Sequence, residues 1–264
     1  MVQENIELVM IFQGANSGPL DHIRYFSQLV GELYGSGFEE ISYSVLLKGK
    51  LKSKTMKFTD ESIEKFKNDL PDVLYKGFEL MALSPGWEYK SRDKKFSVSY
   101  NEDSNRRDDR ILTFSLNKHC FLALFPRDKI IELYLGLARH IQEKEGELVY
   151  GFIFSMAGEK FPGMFIAGIG NDNLTDKEEE LLEAWNDGRD QCDRKIWTVP
   201  WGNLVTSRHF KRPENLNKLR KVVGEGNVHV LARSAFFFHL PWDSLELGNE
   251  DKQILREILP LFRE

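Results

Sequence analysis

The hydrophobic period of this chain switches repeatedly between two and about 3.6 residues, which restricts it to folds that mix strands and helices. Residues 5–12, NIELVMIF, are a short apolar run of strand composition. Large apolar groups fall on both of its faces, as an inner strand requires. GANSGP then marks a turn, and Pro19 suits the first helical position. Ile23, Phe26, Val30 and Leu33 follow at +3, +4 and +3, one apolar stripe along a helix that Gly35 and Gly37 end.

The same alternation continues along the chain. Ile41, Tyr43, Val45 and Leu47 point one way and Ser42 and Ser44 the other, so residues 39–47 read as a strand. Residues 48–57 hold five lysines and no acid, which suits a loop or an exposed hairpin where lysines discourage sheet extension. Thr59 or Ser62 caps a predicted helix over 59–71. Phe96, Val98 and Tyr100 alternate with serines in a half-buried strand. Pro126 opens a second clear helix over 126–145, with Ile130, Tyr134, Leu137 and Ile141 on its inner face and a stop near Gly146. Strands are expected at about 148–156 and 163–169. Thr175 and Glu178 form a capping box for a helix over 175–188, VHVLA and AFFFHL have strand character, and Asn249 caps a last helix over 249–259.

Each half therefore holds strands and at least two helices in a similar order, and the fold class is α+β. The expected organisation is a tandem of two mixed α/β lobes, residues 1–105 and 106–264, in the manner of ferredoxin-like split βαβ units. A single mixed sheet with helices on one face is the competing architecture. The all-polar connector NEDSNRRDDR, residues 101–110, suits either the seam between lobes or a hairpin loop.

Charge and composition narrow the function classes. With 36 Lys+Arg against 41 Asp+Glu the formal charge is −5, which disfavours non-specific nucleic-acid binding. No segment reaches the ~20 apolar residues of a membrane span, and the start lacks the basic region of a signal peptide, so the expected location is the cytoplasm. Cys120 and Cys192 lie in no metal-ligand spacing, and the six histidines form neither HExxH nor HxxxH, so neither a metal nor a cofactor is expected. His229 and His239 flank an expected hairpin and can approach each other, without an indicated third ligand. GANSGP has neither GxGxxG nor a GK[ST] ending, which makes it a turn rather than a phosphate loop. His119 beside Cys120 cannot form a dyad on a strand, and Cys192 has no placed histidine.

Two segments carry a possible surface role. Residues 171–190 hold eight acids and two bases, a local charge of −6, and Glu179, Glu183 and Asp187 recur at i, i+4 and i+8. That ridge is either a solvated helix face or a docking surface for a basic protein such as a nuclease. The stretch 196–210, IWTVPWGNLVTSRHF, gathers Trp197, Trp201, Asn203, Arg208 and His209 into little expected regular structure. Amphipathic aromatics beside polar groups suit a binding surface or a buried plug, and at least part of the segment is expected to be buried.

YGFIF, FPGMFIAGIG, LTDKEEELLEAW and WTVPWGNLVTSRHF, over about 150–245, resemble an immunity-protein-like family associated with bacterial toxin systems. Val199, Pro200, Trp201, Asn203, Leu204 and His209 match a family pattern of Tyr-Pro, a hydrophobic–Asn pair and a final His, with Val199 where an aromatic usually stands. The resemblance implies a cytoplasmic protein that binds and neutralises a toxin without chemistry. The expected function is thus a non-catalytic protein-binding protein whose partner is a basic protein, with the ridge and the 196–210 segment as contacts. A small-molecule hydrolase or transferase, and a structural housekeeping protein, are the alternatives. Oligomeric state is not read from the sequence.

Overall fold

The computed structural model describes residues 5–16, 18–34, 40–47, 50–62, 78–83, 96–102, 110–117, 127–155, 191–196, 199–240 and 251–263. The chain is α+β, with helices and antiparallel strand pairs in two compact units. One unit comprises Met1–Asn5 and Ile11–Glu147, and the other Ile6–Met10 and Leu148–Glu264.

The first unit contains α1 (Pro19–Tyr34), β2 (Glu40–Leu47), β3 (Lys50–Lys57), β4 (Phe78–Leu83), β5 (Phe96–Glu102), β6 (Arg110–Asn117) and α2 (Arg127–Glu143), after β1 (Asn5–Gln13). Its strands run in the order β3-β2-β4-β5-β6, while β1 is divided, its Ile6–Met10 belonging to the other unit. Strands β2 to β6 pair antiparallel, Glu40 opposite Lys57 and Leu83, Phe78 opposite Glu102, and Glu102 opposite Arg110. The last pairing sets Glu102 opposite Arg110 at the two ends of the connector, as the hairpin alternative for 101–110 has it. The units part instead at Glu147 and Leu148. Polarity alone did not separate the two because a solvated hairpin loop and a linker select the same residues. Only β4-β5-β6 run as a meander, with β2 between β3 and β4, an order that differs from the split βαβ units expected from element order. The lysine run supplies the edge strand β3, the hairpin reading of that segment.

Helix α1 begins at Pro19, where the absent N–H costs nothing. The Gly18 amide donates to Asp21 Oδ2 at 3.1 Å, so an acid in the first turn closes the N-terminus. Ile23 and Phe26 of the predicted stripe are fully buried, with Phe26 edge-on to Phe114 of β6 at 4.2 Å. All four predicted stripe residues of α2 are buried. The helix ends in a Schellman motif: Gly146 N donates to Ile141 O at 2.8 Å and Glu145 N to Gln142 O at 3.0 Å. Glu145 takes the left-handed position at φ 64°. Gly146 is required for closeness rather than for φ, because an added Cβ would lie 2.5 Å from Ile141 Cγ2 and 2.9 Å from its carbonyl oxygen. Residues 60–62 begin the helix predicted for 59–71, and the rest of that segment lies outside the described residues.

The second unit contains β7 (Glu147–Ser155), β8 (Gly202–Thr206), α3 (Asn215–Val223), β9 (Val228–Val230), β10 (Ala235–His239) and α4 (Asp251–Ile258). Its strands run β7-β8-β10-β9, antiparallel, with Ile153 opposite Gly202, His239 opposite Gly202 and Phe237 opposite His229. The expected strands at 148–156, VHVLA and AFFFHL and the last helix are present within a few residues. Strand β8 and helix α3 were not expected. All five residues of β8 are buried, so no alternation marks it. The inward face of α3 is Asn215, Leu219 and Val223, in which a buried asparagine takes an apolar place by donating its Nδ2 to Leu261 O at 2.8 Å. The strand expected at 163–169 and the helix at 175–188 lie outside the described residues.

Candidate functional site

The segment singled out by sequence enters the second unit as a central strand flanked by two turns. Val199 and Pro200 are buried, and the Trp201 carbonyl accepts Leu240 N at 2.8 Å. The Trp201 ring stacks on His239 at 5.2 Å and is 1% exposed. Gly202 follows because β8 lies hard against β7: a Cβ there would meet Ile153 Cβ at 3.0 Å. Asn203 donates Nδ2 to Pro200 O at 2.7 Å and ties the turn to the strand.

After β8, residues Ser207–His209 form one 3-10 turn, and His209 folds back beneath it. The Thr206 amide donates to His209 Nδ1 at 3.0 Å, and Nε2 lies 2.9 Å from Cys192 O. An amide cannot accept, so Nδ1 bears the lone pair and the proton sits on Nε2, donating to Cys192 O. Tyr150 of β7 stacks on the same ring at 5.7 Å. Burial dominates the electrostatics. It drives His209 down to about 4 and pushes Tyr150 well above the ordinary phenol range. The imidazole is therefore neutral near pH 7 and sealed from solvent at 0% exposed. Cys192 meets it through a carbonyl, not through its thiol, so the two do not make a nucleophile–base pair.

Three of the residues expected at a surface thus belong to the core. Trp201, Asn203 and His209 are each at most 1% exposed and face the interior of the second unit, with Trp201 on His239, Asn203 Nδ2 on Pro200 O, and His209 on Cys192 O and Tyr150. The burial expected for part of the segment is found at Trp201. Arg208, between Ser207 and His209, is exposed. Trp197, Glu179, Glu183 and Asp187 lie outside the described residues. Sequence reasoning missed Tyr150 and Cys192, which carry no local signal because they reach His209 only through the fold.

A second histidine cluster lies in the first unit. His22 of α1 and His140 of α2 meet edge to face at 5.5 Å, and Tyr25 stacks flat on His140 at 3.9 Å. Phe12 meets the other face of the cluster, edge-on to His22 at 5.1 Å. Burial, then the neighbouring His140, holds His22 down to about 4, and burial lowers His140 as well. Gly136 lets the helices approach: a Cβ there would meet Leu29 Cδ2 at 3.0 Å. His229 and His239, which the sequence allowed to approach, lie 6.0 Å apart in the second unit. Among the described residues no three His, Cys, Asp or Glu side chains are grouped to hold a metal ion. No described helix is long and apolar enough to cross a membrane.

No protein-family model matches the chain, and no curated protein matches it. Among solved structures it is similar to the Pseudomonas aeruginosa T6SS protein PA0821, with a TM-score of 0.51 and 13% identity over 97% of this chain and 73% of that one. At that identity the likeness is one of fold.

Proposed function

We propose that this chain is a non-catalytic, immunity-like protein that binds and neutralises a protein toxin in a type VI secretion setting. The observation that carries the reading is the fold shared with the T6SS protein PA0821 along 97% of this chain. The immunity-like pattern through Val199–His209 supports it independently. That pattern falls on residues that build the β8 turn, as a family's structural signature does: Pro200, Trp201, Asn203 and His209 are all buried.

The toxin in this reading is a basic protein met in the cytoplasm, and the ridge Glu179, Glu183 and Asp187 steers it. Clustered charge raises encounter rates and makes them sensitive to salt. The test is co-purification at low salt from the native cell, followed by toxicity of the retained protein with and without this chain. A retained protein that is toxic alone and harmless when co-expressed supports the reading. The absence of any protein that this chain renders harmless sinks it. With the partner in hand, Glu179→Lys with Glu183→Lys slows association most at low ionic strength. Equal rates for wild type and variant at every salt concentration remove the ridge from the contact.

A further inference from the structure

Strand β9 ends the strand order of the second unit, and among the described residues no strand pairs with its outer side. Its ladder bonds fall at alternate residues, as in any antiparallel pair. Leu231 N donates to Ala235 O at 2.9 Å, in the register that sets His229 opposite Phe237 and Val230 opposite Phe236. Leu231 and His229 therefore turn their N–H and C=O groups toward β10, and Val228 and Val230 turn theirs away from it. Strand β10 gives the same parity from its other side. Ser207 N donates to Ser234 O at 2.9 Å and Leu240 N to Trp201 O at 2.8 Å, so Phe236 and Phe238 bond β8 and leave Ala235 and Phe237 for β9. Of the outward groups, the Val228 amide is taken by Glu225 O at the end of the preceding 3-10 turn. The Val228 carbonyl and the amide and carbonyl of Val230 line the edge, and Val230 is 63% exposed.

We propose that β9 is a docking edge that takes an extended, acidic segment of a protein partner as an added strand. Sheet edges are ordinarily guarded against such addition by lysine, proline or a bulge. The end strand of the first unit, β3, follows that rule with Lys50, Lys52, Lys54 and Lys57. Strand β9 is Val-His-Val, which favours pairing and contains neither lysine nor proline. An antiparallel newcomer would exchange two hydrogen bonds with Val230 and donate a third to the Val228 carbonyl, so that main-chain bonds supply affinity and Val230 an apolar contact. Charge chooses the occupant. Residues 199–240, which hold this edge, carry seven Lys and Arg against two Asp and Glu, in a chain whose formal charge is −5. Lys218 and Lys221 stand exposed on α3, the helix that leads into β9. A basic segment meets repulsion there and an acidic one attraction, whatever the net charge of the protein that carries it. A second copy of this chain is the poorer occupant. Self-pairing would bring the bases of two copies together, and a three-residue strand buries far less than the ~1,200 Å² of a stable interface. The site rests on the protein-binding reading above only in that its occupant is a protein.

The probe is a short, fluorescently labelled peptide of alternating Glu and Val, titrated with the full chain at low salt and followed by anisotropy. Wild type is expected to bind it, and the Val230 amide is expected to exchange more slowly with the peptide present. The same peptide N-methylated at every residue keeps its charges and loses its backbone donors. Its binding is expected to be weaker by about tenfold or more. Val230→Pro removes an outward N–H and no ladder bond, a change that edge strands tolerate, so it is expected to fold as wild type and to lose about tenfold in binding. Val230→Thr keeps the amide and the β-branch and is expected to bind as wild type. Failure of wild type to bind the peptide overturns the site. So does equal binding of the N-methylated peptide, or a Val230 amide whose exchange the peptide leaves unchanged. If Val230→Pro melts lower than wild type, the N-methylated peptide decides, because it leaves the chain intact. Equal affinity for a peptide of alternating Lys and Val overturns the acidic occupant. None of these outcomes bears on whether the chain neutralises a toxin, which the co-expression assay decides.

Discussion

The backbone amide of Thr206 donates to Nδ1 of His209 at 3.0 Å, and that one bond sets the tautomer of a fully buried ring. With Nδ1 accepting, Nε2 must carry the proton that reaches Cys192 O at 2.9 Å. Replacing His209 by Leu removes both partners at once and leaves a buried N–H and a buried carbonyl unsatisfied. Each costs about 1–3 kcal/mol, so His209→Leu is expected to lose about 2–6 kcal/mol in urea denaturation. A loss under about 1 kcal/mol would mean that water replaces the ring.

Acid sensitivity follows from His22 and His209. Both are held down to about 4 in the folded chain against 6.5 for the free side chain. Folding therefore favours the neutral form, and the unfolded chain binds more protons between those values. The stability each contributes is complete above pH 6.5, declines as pH falls, and is gone below about pH 4, roughly 3 kcal/mol per histidine. Denaturation midpoints measured across pH 7 to about 4 are expected to fall faster in wild type than in His22→Leu, which lacks one of the two titrating groups. Parallel pH profiles would show that His22 is not perturbed.

Trp201 tests whether the aromatic segment is core. Its ring is 1% exposed and stacks on His239, so Trp201→Ala is expected to cost about 3–5 kcal/mol, while Arg208→Ala stays near wild type. An unchanged urea midpoint for Trp201→Ala would contradict the burial.

Gly146 closes α2 against its own last turn. A methyl group there would lie 2.9 Å from the Ile141 carbonyl oxygen, a backbone atom that cannot rotate away. Gly146→Ala is expected to destabilise by about 1–3 kcal/mol, measured by thermal or urea unfolding. A neutral substitution would mean that the Schellman turn reopens freely.

Elements with strong local patterning are legible in the residues alone. The stripe Ile130, Tyr134, Leu137 and Ile141 places α2, and Pro19 places the start of α1, because an amphipathic face and a fixed φ are properties of short segments. Strand β8 is not legible in that way. Buried on both faces between β7 and β10, it shows no alternation, and its Trp, Pro and Asn neighbours resemble a loop. Helix α3 hides for a related reason, since Asn215 fills a core position only because Leu261 O lies where its amide can reach it.

The division between surface and core in 196–210 is settled only by tertiary contacts. Composition says that Trp201, Asn203, Arg208 and His209 are amphipathic, and amphipathic groups serve interfaces and interiors equally well. What places three of them inside are partners brought close by the fold: His239 against Trp201, Cys192 O and Tyr150 around His209, Pro200 O on Asn203. The outward turn of the Val230 amide has the same origin. Sequence determined the α+β class, the principal helices and the charge pattern, which depend on neighbours in the chain. Which polar groups are spent in the core and which face outward depends on neighbours in space.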